Sequence, residues 1–199
     1  NVFGDEHRDE GDWGHWSQQG MNWNSNCAWC HMTDYKKNYD IRTDEYSSEW
    51  KIEGISCIQC HADMESHVAS ARSGEYKKRE TPPNIEVAMD NCASCHARRE
   101  ELTANDFHAG ERFDDHFRLV LPDLPNAYFV DGKANEENYV YASLKLSKMG
   151  HKGVSCLDCH NPHSHETILP VEDNSLCMRC HSTGLSGATI IHPVTHSPH

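Results

Sequence analysis

The chain of 199 residues contains one short pattern five times, and the five copies use every cysteine that it has. Each copy has two cysteines separated by two residues, with a histidine directly after the second cysteine. We number the copies motifs 1 to 5 in chain order. The cysteines are Cys27, Cys30, Cys57, Cys60, Cys92, Cys95, Cys156, Cys159, Cys177 and Cys180, and the histidines are His31, His61, His96, His160 and His181. Any fold of this chain must therefore hold five Cys-Cys-His groups.

The pattern C-x-x-C-H is the attachment signature of c-type haem. Two thiols on one tight helical turn can reach the two vinyl groups of a porphyrin, and the next histidine is then aimed at the iron. The sequence predicts five c-type haems on this basis.

Three other uses of cysteine compete with this interpretation. A lone copy could be half of a zinc site or a redox dithiol, and ten cysteines in a secreted chain could form five disulfides. Five copies, each with its histidine and with no cysteine outside them, favour haem over all three.

The composition agrees with a chain that lacks an aliphatic core. Leu, Ile, Val and Phe make up about 16% of the residues and the formal charge is -13, values that by themselves are typical of disorder. They exclude a large aliphatic core, a membrane span and a nucleic-acid-binding surface. Five porphyrins would supply the missing apolar surface. We expect a mainly α fold with much irregular loop, in which the chain is wrapped around five closely packed haems.

We expect residues 1–199 to form a single pentahaem domain. An alternative is a division of this domain into two sub-lobes, residues 1–80 with haems 1 and 2 and residues 81–199 with haems 3 to 5. Local patterns predict helices over Ala62–Arg72 and Ala97–Asn105, and another that starts near Asn135 and ends at Gly150. The segments Asp34–Trp50 and Leu119–Gly132 are predicted to be loops.

Eleven histidines lie outside the motifs and could supply a sixth ligand to each iron. Two histidines per iron give a closed electron-transfer centre. His67 lies on a predicted helix after motif 2, and His163 lies three residues past His160, so it faces away from its own iron. The candidate ligands are His15, His67, His116, His151, His163 and His192, with His196 less favoured. We do not expect His7, His108, His165 or His199 to be ligands.

Cytochrome c maturation takes place outside the cytoplasmic membrane, which predicts a periplasmic or extracellular protein. The start of the sequence lacks the basic residues and the apolar stretch that are typical of a signal peptide. We therefore expect a mature chain from which a signal peptide has been removed. No stretch is long enough to span a bilayer.

Several segments outside the motifs resemble the multihaem family related to cytochrome c-554, whose longer members often carry tetratricopeptide repeats. The resemblance covers roughly residues 12–182, and the segments that carry it best are Asn22-Trp23-Asn24-Ser25-Asn26-Cys27, Tyr139-Val140-Tyr141-Ala142-Ser143 and Asp158-Cys159-His160-Asn161-Pro162-His163. It implies helical haem wrapping, irons with two histidine ligands and electron transfer. His15, His67, His151 and His163 fall where such relatives place histidine.

The chain departs from this family at three places. Relatives often have a histidine before an Ala-Asp-Gly turn, where this chain has Phe129-Val130-Asp131-Gly132. Relatives usually have Gly-Pro-Gly after the second motif, where this chain has Ala62-Asp63-Met64. They also continue to another haem motif after the final histidine-rich segment, so we expect a shorter protein or a truncated one.

These features favour an electron carrier rather than an enzyme. Its partners would be redox proteins or further copies of the chain, and a histidine from a neighbouring copy could extend the haems into a conducting filament. The alternative is an oxidoreductase with one open haem that acts on a small nitrogen or sulfur species. The lysine that replaces the motif histidine in known nitrite reductases is absent.

Overall fold

The computed structural model describes residues 7–12, 14–62, 64–75, 84–104, 107–120, 128–131, 133, 135 and 139–181. It divides the chain into two compact units, Asn1–Ser147 and Lys148–His199. The predicted single haem domain stays a prediction, and the optional boundary at residues 80 and 81 lies outside the described residues. No helix in the described part of the chain is long and apolar enough to cross a membrane.

The first unit is built from short helices and two-stranded antiparallel sheets. Its helices are α1 Ala28–His31, α2 Met64–Arg72, α3 Ile85–His96, α4 Phe113–His116 and α5 Val140–Leu146, with a π-helical turn at Trp23–Cys27 and 3-10 turns at Gln19–Met21 and Cys57–Gln59. Its strands are β1 Met32–Thr33, β2 Tyr39–Asp40, β3 Glu45–Tyr46, β4 Ile52–Glu53, β5 Arg99–Glu101 and β6 Phe117–Leu119. The pairs are β1 with β4, β2 with β3 and β5 with β6.

Local interactions determine where α3, the longest helix in the described part of the chain, begins and ends. Asn84 caps its first turn, because Asn84 Oδ1 accepts a hydrogen bond of 2.9 Å from the Glu86 N–H. The helix ends where Ala97 adopts an extended conformation. Motif 3 therefore occupies the last turn of α3, with its histidine as the final helical residue.

The loop predicted over Asp34–Trp50 contains a short hairpin that was not predicted. Its strands are β2 and β3, in which Tyr39 and Tyr46 pair with ring centroids 4.8 Å apart. The turn between the strands contains Asp44 at φ 56, and its Oδ1 accepts a hydrogen bond of 2.9 Å from the Tyr39 hydroxyl. Aromatic pairing and this turn contact stabilise strands too short to give a sequence signal.

The prediction of a helix over Ala97–Asn105 was wrong. Arg99, Glu100 and Glu101 pair in β5 with the later strand β6 instead. Glu100 faces Arg118 across the strands, and the two side chains form an ion pair. Pairing with a distant segment has overridden a weak local helix preference.

The helix predicted from Asn135 to Gly150 is two helices. Residues 136–138 lie outside the described residues, and α5 begins at Val140. Ser147 then interrupts the helix, because its backbone is extended and its hydroxyl donates a hydrogen bond of 2.7 Å to the Leu144 carbonyl. Gly150 lies inside the next helix, α6 Lys148–His151, rather than at its end. Of the predicted loop Leu119–Gly132, residues 121–127 and 132 are also outside the described residues.

The core of the first unit is aromatic rather than aliphatic. Its large members are Trp29, Tyr35, Phe107, Phe113, Phe117 and Tyr141, with small alanines between them. Phe117 lies at the centre, since its ring centroid is 5.5 Å from that of Trp29 and 5.3 Å from that of Phe113. The low aliphatic content of the chain is thus offset in part by rings drawn from widely separated segments.

The second unit is small and carries motifs 4 and 5. Its elements are α6, a 3-10 turn at Cys156–Asp158, the strands β7 His160–Asn161 and β8 Glu166–Thr167, and α7 Ser175–His181. Strands β7 and β8 form a hairpin whose turn contains His165 at φ 59. Helix was predicted to be the main regular structure, and the described residues agree, with strands only two or three residues long.

Candidate haem-attachment sites

All five motifs lie on helical turns. Motifs 1, 3 and 5 end the helices α1, α3 and α7, with the histidine last in each. Motifs 2 and 4 begin on 3-10 turns, and the histidine follows one residue after the turn closes. A helical turn brings the two cysteines of each motif to the same side of the backbone, as attachment to one porphyrin requires.

The donor chemistry of every motif fits a covalently bound haem. None of the ten cysteines forms a disulfide, and all five motif histidines are exposed. No group of three or more His, Cys, Asp or Glu side chains in the described residues is arranged to hold a metal ion. Each motif therefore offers two thiols for thioether bonds and one imidazole for iron. The bound haem would supply one-electron redox chemistry.

Two buried polar atoms near the motifs also fit such a group. Trp29 Nε1, inside motif 1, and Ser56 Oγ, directly before motif 2, have no hydrogen-bond partner in the described part of the chain. Buried donors of this kind are rarely left unsatisfied. The carboxylate groups of a haem are acceptors that could satisfy them.

Motifs 1 and 3 meet at the contact between α1 and α3. Cys30 Sγ lies 3.8 Å from the Cys95 carbonyl oxygen, and the two thiols are hydrogen-bonded to each other. This hydrogen bond and burial raise the pKa of Cys30, whereas the same hydrogen bond lowers the pKa of Cys95 to about 7. The Cys30 thiol donates to the Cys95 carbonyl, and this contact joins motif 1 to motif 3.

Motif 2 joins the same group. The side-chain amide of Asn91, on α3, donates a hydrogen bond of 3.3 Å to the Cys60 carbonyl. Gln59 Oε1 accepts a hydrogen bond of 3.0 Å from the Asp34 N–H, just after β1. Burial raises the pKa of Cys60, and the nearby Cys95 adds to this effect. The first unit thus gathers motifs 1, 2 and 3.

Motifs 4 and 5 are neighbours in the second unit. Arg179, inside motif 5, donates a hydrogen bond of 2.8 Å to the carbonyl of Asp158, inside motif 4. The turn of motif 4 is closed by Ser155, whose N–H and hydroxyl both donate to Asp158 Oδ2, at 2.7 and 2.8 Å. These hydrogen bonds lower the pKa of Asp158. This Ser-x-x-Asp capping box can be recognised in the sequence, but it was not among the predicted features.

The predicted distal ligands differ in their surroundings. His67 is exposed on α2, beside an open groove of about 380 Å³ lined by Met64, Glu65, Val68, Ala69 and Arg72. His151 ends α6, and His163 lies in the turn between β7 and β8. His192 lies outside the described residues, as do His196 and His199.

His15 and His116 are held by hydrogen bonds to their rings. His15 Nδ1 is 2.7 Å from Ser17 Oγ. His116 Nδ1 is 3.2 Å from Thr103 Oγ1, and its Nε2 is 3.2 Å from Glu111 Oε2. Iron binding by His116 would therefore displace one of its present partners, whereas Ser17 could orient the ring of His15 from the side away from a metal. The assignment of all six ligands stays a prediction.

Arg99 was missed by the sequence analysis. Its side chain is only 10% exposed and lies where motifs 1 and 3 meet. A basic residue three positions after the motif histidine carries no recognisable signal, because its burial depends on β6.

Comparison with known families gives two matches. A model described as "Cytochrome c554 and c-prime" matches residues 7–62, which contain motifs 1 and 2. A model described as "Doubled CXXCH motif" matches residues 150–184, which contain motifs 4 and 5. No curated protein and no solved structure matches the chain. Together with the five Cys-x-x-Cys-His motifs and their exposed histidines, these two matches support a multihaem c-type cytochrome that is similar over residues 7–62 to the cytochrome c554 and c-prime family, in which covalently bound haem serves electron transfer.

Proposed function

We propose that the chain carries five c-type haems, one on each motif, and that it passes electrons among them without transforming a substrate. The observation that carries this proposal is the grouping of the motifs. Cys30 and Cys95 are in contact, Asn91 links motif 3 to motif 2, and Arg179 links motif 5 to motif 4. Haems attached there would lie close together in a group of three and a pair, as electron transfer between haems requires.

Each iron takes a histidine from outside the motifs as its second axial ligand. The chain has eleven such histidines for five irons, so closed sites need no other residue type. Because a closed iron has no open position for a substrate, this ligation favours a carrier over an enzyme.

The competing function is reduction of a small nitrogen or sulfur species at one open haem. Electron paramagnetic resonance of the oxidised full-length protein separates the two functions. A carrier gives only low-spin ferric signals, with five spins per chain. A high-spin signal that changes when nitrite or sulfite is added would contradict the carrier and support the reductase.

The protein acts outside the cytoplasmic membrane, in the periplasm or beyond the cell, where c-type haem is attached. Its formal charge of -13 favours redox partners with basic docking faces. Raising the ionic strength should therefore slow electron transfer to a basic partner. A rate that does not depend on salt would contradict this choice of partner.

A second form of the same function is a conducting filament of many copies. The surplus of histidines over the number that five irons need supports it, since a histidine of one copy could bind an iron of the next in an open, head-to-tail arrangement. Negative-stain electron microscopy at high protein concentration tests this form. Filaments support it, and discrete particles at every concentration contradict it.

A further inference from the structure

Arg99 is a buried cation that touches motifs 1 and 3 at once. Its Nε donates a hydrogen bond of 2.6 Å to the carbonyl of Ser94, which lies between the two cysteines of motif 3. Its guanidinium carbon is 5.3 Å from the ring centroid of Trp29, which lies between the two cysteines of motif 1. The same carbon is 3.9 Å from the ring centroid of Phe117, which packs against Trp29. One side chain thus joins the backbone of one motif to the aromatic residue of another.

The charge of Arg99 is only partly balanced. Its nearest carboxylate oxygen, Glu101 Oε1, is 3.8 Å from Nη1, and Glu101 is shared with Lys37. Arg118, on the paired strand β6, differs in both respects, because it is 64% exposed and binds Glu100 through Nε at 3.1 Å as well as through Nη2. Burial lowers the pKa of Arg99, but a guanidinium keeps its proton inside proteins. A fixed positive charge therefore remains at the motif contact.

We propose that Arg99 is a positioning residue that raises the reduction potentials of the haems attached at motifs 1 and 3. The inference depends on the proposed function, because it needs a haem on each of these motifs. A ferric haem carries one more positive charge than a ferrous haem. A neighbouring cation in a poorly solvated site therefore favours uptake of one electron by the iron. Arg118 has the same charge but is solvated and paired, so it has little effect on the irons.

The test is a spectroelectrochemical titration of the haem-loaded full-length protein, with dithionite as reductant and ferricyanide as oxidant. Arg99→Met removes the charge and keeps an apolar stem, and Arg99→Lys keeps the charge. Arg118→Met removes an equal charge from the same hairpin and is the matched control. We expect Arg99→Met to shift the ferrous-to-ferric equilibrium at one or both affected haems by about tenfold towards ferric, which is about 59 mV for one electron. Arg99→Lys and Arg118→Met should each shift it by less than about threefold.

Two results would overturn the proposal. The potentials could be unchanged in Arg99→Met, or Arg118→Met could shift them equally. A purely structural role would lower the melting temperature of both Arg99 variants and leave the potentials unmoved.

If Arg99→Met fails to retain haem, the variant Glu101→Gln tests the same proposal. Glu101→Gln removes the carboxylate that partly neutralises Arg99, so it should raise the same potentials, whereas Glu100→Gln, its exposed neighbour, should not. Equal potentials in these two variants would overturn the proposal. The haem content of the wild-type protein separates this proposal from the function. A protein without haem on motifs 1 and 3 refutes both, and one with haem but with unshifted potentials refutes only the role of Arg99.

Discussion

Single side chains determine which histidines can reach an iron. A histidine that binds a metal through one ring nitrogen usually donates a hydrogen bond from the other. His15 Nδ1 lies 2.7 Å from Ser17 Oγ and accepts a hydrogen bond of 3.3 Å from the Ser17 N–H, so these partners occupy only one of its two ring nitrogens. His116 has protein partners at both ring nitrogens, and its ligation would require Glu111 to move. His67 presents its ring on an exposed helix face.

Replacement of His67 tests this distinction directly. In His67→Ala, we expect one haem to change from low spin to high spin, because its iron loses an axial ligand. His165 is the control, since it is exposed at φ 59 and is not a predicted ligand. His165→Asn suits that conformation, which asparagine tolerates, and it should leave every haem low spin. The measurement is electron paramagnetic resonance of the oxidised proteins. An unchanged spectrum for His67→Ala would remove His67 from the ligand set.

The ion pair between Asp34 and Lys51 predicts that the stability of the protein depends on pH. The hydrogen bond with the Lys51 ammonium, 2.6 Å away, lowers the pKa of Asp34 below its usual 3.8. The contribution to stability is therefore complete above the unfolded-state pKa and is lost as the pH falls through the lower folded-state value. We expect Asp34→Asn to lower the free energy of unfolding by about 1 kcal/mol or less at pH 6. Denaturant titrations should show this difference shrinking below about pH 4, and a constant difference would contradict the account.

Short elements built around the motifs depend on local hydrogen bonds. Motifs 2 and 4 both follow a serine and both use a 3-10 turn. In motif 4, Ser155 and Asp158 close the turn. In motif 2, the corresponding positions are Ser56 and Gln59, and the Ser56 hydroxyl has no partner within the described part of the chain. The same backbone turn is therefore held in two different ways.

This difference predicts unequal losses of stability when each serine is replaced by alanine. Ser155→Ala should lower the free energy of unfolding by about 1 kcal/mol, as expected for the loss of a capping side chain. Ser56→Ala should lower it by less than about 0.5 kcal/mol, because the Ser56 hydroxyl makes no hydrogen bond that closes the turn of motif 2. Thermal unfolding of the two haem-loaded variants measures both effects. Equal losses would show that the capping box of motif 4 does not stabilise its turn.

Elements were predictable from sequence only where the signal was local. The five motifs and α2 follow from spacing and helical pattern, and the structure places helical turns there. The hairpin β2–β3 was missed because its strands have two residues each and depend on the Tyr39–Tyr46 contact. The helix expected after motif 3 is the strand β5, because Arg99 packs against Trp29 and Phe117 and the backbone pairs with β6. Contacts between residues distant in sequence produce the strand β5 and bury Arg99. A local sequence pattern does not show such contacts, so neither feature was predicted.

The protein core formed by the described residues is small. The buried hydrophobic residues among those described are Ala28, Trp29, Tyr35, Ala93, Ala97, Phe107, Phe113, Phe117, Tyr141 and Ala142. Such a core offsets little of the conformational entropy lost when 199 residues fold. Covalent haems would add apolar surface and cross-links in the way that metals and disulfides support small folds.

The haem-free chain should therefore be largely unfolded. We expect far-ultraviolet circular dichroism of polypeptide produced without haem attachment to show much less helix than the haem-loaded protein. The haem-loaded protein measured in the same buffer is the reference. Equal helix content in the two forms would contradict a fold that depends on haem.

The central claim is that every motif carries a haem, and it can be tested by counting. A pyridine haemochrome assay on the purified full-length protein gives the number of c-type haems per chain. We expect five haems per chain, one for each Cys-x-x-Cys-His motif. A reproducible value of four or fewer would contradict it, because at least one motif would then have another use.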